Sequence, residues 1–102
     1  MKNRCSGHSQ LSAQQISLAR HALGLSSRTS NSYRNRFVTG AGSVDYQPWL
    51  DMVETGHAIR IDGAKLPFGG NDLFCLTPAG AKLALEPGDQ LDSEDFPPEV
   101  LT

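Results

Sequence analysis

The chain has no long hydrophobic run. Its apolar residues come singly or in short groups, far below the roughly 20 consecutive positions that cross a bilayer, which excludes a transmembrane helix, and no membrane partner is expected. The opening "MKNRCSGHSQ" carries charge with no apolar stretch behind it, unlike a secretory leader, so cytoplasmic residence is expected. Cysteine is scarce. Cys5 and Cys75 could form one bridge, but free thiols are the expectation in a reducing compartment. "CSGH" sets Cys5 and His8 at a ligand-like spacing, yet zinc takes four ligands and no second pair follows. Neither a metal nor a cofactor is expected.

Acid is missing altogether from the first 44 residues, which carry Lys2, Arg4, Arg20, Arg28, Arg34 and Arg36. All eleven acids lie in residues 45 to 102, against Arg60, Lys65 and Lys82. The small net charge of −2 therefore hides a +6 half and a −8 half, which points to an interaction surface or to halves that attract each other. A length of 102 residues allows one domain with a modest core.

The periodicity predicts an α+β chain. Ser12 and Gln15 have capping-box spacing, and Leu11, Leu18, Ala22 and Leu25, broadened by Ile16, Ala19 and Leu23, make an amphipathic helix over about residues 12 to 24. Arg20 and His21 fall on its polar side. In "SSRTSNSYRNRF" (residues 26 to 37), Tyr33 and Phe37 lie four apart and can anchor a short helical segment, leaving the arginines outward. "VTGAGSV" is a loop. Asp45 should N-cap a helix that holds Pro48 in its first turn, buries Trp49 and closes at Gly56. "HAIRID" and "LFCLT" read as a two-stranded hairpin around a long turn, and Thr77 with Pro78 opens a short last helix. The expected organisation is a flexible tail over 1–10, a folded domain over 11–85 and an acidic disordered tail over 86–102.

This order of three helical segments, hairpin and helix is that of a winged helix-turn-helix domain. "WLDMVETGHAIRID" followed by "LFCLTPAGAKLAL" resembles the end of bacterial winged-helix regulators, over residues 49 to 85. The pattern from "SYRNRFVTGAGSVDY" through "LTPAG" is similar to short phage and prophage proteins. The resemblance implies a winged-helix-like fold and a mobile-element origin, hence a bacterial host cell. One departure bears on function. The helix before the wing would enter the major groove, yet here it carries Asp45, Asp51 and Glu54 and no base, so phosphates would repel it.

Catalytic constellations are poor. Cys75 with His57 across the hairpin is a conceivable nucleophile pair, but a cysteine inside "LFCLT" is more often a small core residue. His21 and His57 are expected in solvated or capping roles. "GAGS" before a helix invites a phosphate, but no Gly-Lys-Ser/Thr follows and Asp45 already puts a carboxylate there. The basic stretch is the best candidate. Arg28, Arg34 and Arg36 can bond phosphates, Asn35 can add a neutral contact, and Tyr33 can stack on a base. The expected function is a non-catalytic nucleic-acid-associated accessory or regulatory protein with weak, salt-dependent binding. The alternative is a phage effector that binds a host protein complex, such as a defence nuclease, through Asp45, Asp51 and Glu54. The acidic tail could compete for the same arginines. A solely structural role for them is the third possibility. The sequence leaves oligomeric state open.

Overall fold

The computed structural model describes residues 11–65 and 70–96. In chain order they form α1 (Ala13–Leu23), β1 (Phe37–Thr39), α2 (Tyr46–Glu54), β2 (Ala58–Ile61), a 3-10 turn (Gly63–Lys65), β3 (Asp72–Leu76) and α3 (Pro78–Leu83). The expected tail over 1–10 lies outside the described residues.

Helix α1 starts as its capping box requires: Gln15 N–H donates to the Ser12 hydroxyl, and Ser12 N–H donates to the Gln15 side chain. Both α1 and α2 end in a left-handed glycine. Gly24 N–H reaches His21 O and Leu25 N–H reaches Arg20 O; Gly56 N–H reaches Val53 O and His57 N–H reaches Met52 O. These paired bonds are a Schellman motif at each end. Asp45 precedes α2 without a side-chain bond to the helix. Its carboxylate accepts from the Thr39 hydroxyl instead, at 2.6 Å. Thr77 caps α3 by accepting from Gly80 N–H.

The sheet has three antiparallel strands in the order β1-β3-β2, where a two-stranded hairpin was expected. The extra strand is "FVT", and it stands where the Tyr33–Phe37 spacing predicted a helical turn. Its period-two burial is half-buried, exposed, buried, so Phe37 and Thr39 face inward and Val38 outward. Three residues are too short a run to outweigh an i,i+4 aromatic pair in sequence; pairing Phe37 with Phe74 decides it. Only two helices therefore precede β2 among the described residues, not three helical segments.

Central β3 buries Asp72, Phe74 and Leu76 against the helices. Trp49, Phe74, Leu23 and Met52 are the largest fully buried side chains. Aromatic contacts run in series through this core: His21 edge-on to Phe37, Phe37 to Trp49, Trp49 stacked on Phe74 at 5.4 Å, and Phe74 edge-on to Tyr46. The opposite sheet face carries Val38, Leu73, Cys75, Ile59 and Ile61, with Ile59 half exposed.

The acidic segment differs from the expected disordered tail over residues 86–96. Gln90 N–H donates to Ser30 O and Ser32 N–H to Gln90 O, and Asp92 N–H donates to the Ser32 hydroxyl. Leu91 and Phe96 pack on the core. Arg20, assigned by periodicity to a polar face, is the anchor. Its guanidinium donates to Ala84 O at 2.9 Å and to Asp89 at 2.5 Å, with both side chains largely buried. Residues 97 to 102 lie outside the described residues.

Candidate nucleic-acid interface

The basic stretch folds back along the end of α1. The last four carbonyls of a helix have no partner inside it, and here each finds one. Arg20 O accepts from Leu25 N–H, Ala22 O from Arg36 N–H and Leu23 O from Tyr33 N–H. His21 O accepts from Gly24 N–H and from the Arg34 guanidinium, whose Nη2 lies at 2.8 Å. A cation at that end also complements the helix dipole. Arg34 is thus partly a helix cap.

Arg34 and Arg36 line one open hollow of about 210 Å³, together with His21, Phe37 and Val38. Arg28 is exposed in the turn closed by Ser26 and Thr29, and it does not line the hollow. Among the described residues, no carboxylate forms an ion pair with Arg28, Arg34 or Arg36. Tyr33 is 60% exposed, and the Arg34 guanidinium carbon lies over its ring at 5.3 Å from the centroid.

Asn35 turns inward. Its side-chain amide donates to Leu76 O at 3.0 Å and accepts from Leu76 N–H at 2.8 Å. A side chain here takes the place of another strand residue at the end of β3, so both ends of the Asn35 amide are engaged by backbone rather than held out for a phosphate. His21 joins the site although periodicity put it on a merely polar face. The signal available was position: it sits one turn before the helix-ending Gly24, where the returning chain must pass.

The acidic residues on α2 are not gathered into a comparable hollow. Asp45 takes the Thr39 hydroxyl, Asp51 accepts from Gln47 at 2.9 Å, and Glu54 is exposed. The strongest acidic focus is Asp72, at the start of β3. It is buried and accepts from the Tyr46 hydroxyl, Arg60 Nε and Gly63 N–H. Those three donors hold its carboxyl down to about 2. The same contact raises the Tyr46 phenol and the Arg60 guanidinium above their ordinary values.

The conceivable nucleophile pair does not assemble among the described contacts. His57, expected in a solvated or capping role, is buried and closes α2 through its N–H to Met52 O, with its Nδ1 2.7 Å from the Thr55 hydroxyl. Burial pushes the Cys75 thiol up, and nearby Asp95 adds to the rise, the opposite of what activates a thiolate. No group of three metal-ligating side chains occurs among the described residues. Cys5 and His8 lie outside them. In "GAGS", Ser43 N–H donates to Gly40 O and Gly42 has a positive φ, a turn geometry. Comparison with family models, curated proteins and solved structures found no match to this chain.

Proposed function

We propose that this protein is a non-catalytic nucleic-acid-binding domain of winged-helix type, of phage or prophage origin, acting as an accessory or regulatory factor in a bacterial cytoplasm. The observation that carries the reading is the hollow beside β1. Two arginines line it, an exposed tyrosine stands next to it, and no carboxylate among the described residues neutralises it. Phosphate oxygens suit such donors because charge-assisted bonds to guanidinium are short and strong. The central placement of β3 between β1 and β2 agrees with a winged-helix sheet.

The contact set is Arg28, Arg34, Arg36 and Tyr33, with His21 added and Asn35 removed. The helix before the wing is not the reading element, since Asp51 and Glu54 are exposed on it. Binding through an acidic surface to a host protein is the weaker reading, because Asp45 and Asp51 are partly satisfied internally.

About three phosphate contacts give a log–log salt slope near −3 on duplex and shallower on single strands. Fluorescence anisotropy with a labelled oligonucleotide, titrated from roughly 50 to 200 mM salt, checks this. Arg36→Ala and Arg28→Ala should each weaken binding and reduce the slope by about 1. These two side chains make no hydrogen bond within the described chain, so the fold is left intact. Affinity that ignores salt or these substitutions sinks the reading, and retention on host protein would then point to the acidic alternative.

A further inference from the structure

Tyr33 is held in a way that its helix-capping role does not require. An added Cβ at Gly24 would fall 2.8 Å from ring atom Cδ1 and 2.7 Å from Cζ, and closer still to Cε1 between them. Such nearly equal, short separations place that point above the ring plane; an approach along the ring edge would leave the two outer atoms farther away. One face of the phenol ring therefore lies flat on bare backbone at Gly24. The residue is nonetheless 60% exposed, so part of the ring stays open to solvent with the Arg34 guanidinium over it.

The backbone that carries the ring is also tied on both sides. Tyr33 N–H is bonded to Leu23 O, Ser32 N–H to Gln90 O, and the Arg34 side chain to His21 O. A large aromatic face exposed to water and immobilised beforehand loses little entropy when something stacks on it. A positive charge lies over the ring at 5.3 Å from its centroid, and a second arginine lies in the adjoining hollow.

We infer that Tyr33 is a stacking platform for an unpaired base, so that the ligand of the basic hollow is single-stranded nucleic acid. The inference rests on the function proposed above and narrows it. Duplex bases already stack on one another, and one could reach Tyr33 only after being unpaired and turned out of the stack. In a single strand every base has a free π-face, and backbone phosphates can track past Arg34 and Arg36.

The test compares three labelled ligands at one low salt concentration: a short oligothymidylate, an abasic strand of equal length, and a duplex of equal length. The oligothymidylate should bind at least about fivefold more tightly than the abasic strand. Tyr33→Phe should keep that advantage, and Tyr33→Ala should bring the oligothymidylate and the abasic strand to equal affinity. Equal affinity for base-bearing and abasic strands overturns the stacking platform and leaves the basic hollow standing. A preference for duplex overturns it as well. Failure of all three ligands to bind removes both proposals together. Should Tyr33→Ala unfold, the abasic comparison on the unaltered protein and the Tyr33→Phe variant still decide.

Discussion

Asp72 receives hydrogen bonds from α2, β2 and the 3-10 turn at once, through Tyr46, Arg60 and Gly63. All three donors favour its ionised form. Its folded value of about 2 lies below the ordinary 3.8, so its contribution to stability is fully present above 3.8 and is lost as pH falls toward 2. Acid unfolding followed by circular dichroism should show that loss in this window. Asp72→Asn should be less stable at neutral pH and show a shallower acid slope, because an amide nitrogen would face the Arg60 donor. Asp89, also held below its ordinary range by Arg20 and the Glu86 amide, keeps some slope in the variant. An unchanged profile would mean that the three bonds do not favour the charged form.

At the scale of elements, the helices were legible because their signals are local. The Ser12–Gln15 box, Gly24, Gly56 and the Thr77–Pro78 start each lie within a few residues of what they cap. What eluded sequence reading depends on distant partners. Strand β1 exists because Phe37 meets Phe74, and the inward turn of Asn35 exists because β3 ends opposite it at Leu76. Half of the proposed site was visible as basic composition. Its division into cap, hollow and internal strut was not, since Arg34, Arg36 and Asn35 are near neighbours with different partners. Asn35→Ala should cost about 2 kcal/mol, from leaving both backbone groups of Leu76 without partners. Urea denaturation measures it, and a loss under half of that would mean water replaces the amide freely.

Across the whole molecule, the +6 and −8 halves are partly spent on each other. Arg20 holds Asp89 across the two halves and Arg60 holds Asp72 within the acidic one, while Arg28, Arg34 and Arg36 pair with no carboxylate among the described residues. Glu86 and Asp89 thus meet α1 at Arg20 rather than at the arginines proposed to bind. Residues 86 to 96 act as a structural strap, whose Leu91 and Phe96 each bury apolar area worth about 1 kcal/mol. Ending the chain at Leu85 should therefore lower Tm by on the order of 10 °C, measured by calorimetry. A truncated chain that melts like the full one would return this segment to the role of a solvated tail.

The four closing carbonyls of α1 and the proposed binding arginines belong to one stretch of backbone. Fraying the helix end would scatter the site, and a polyanion seated on the site would clamp the helix end shut. Occupancy and folding are coupled by mass action, so the ligand should announce itself as a higher melting temperature before any activity is known.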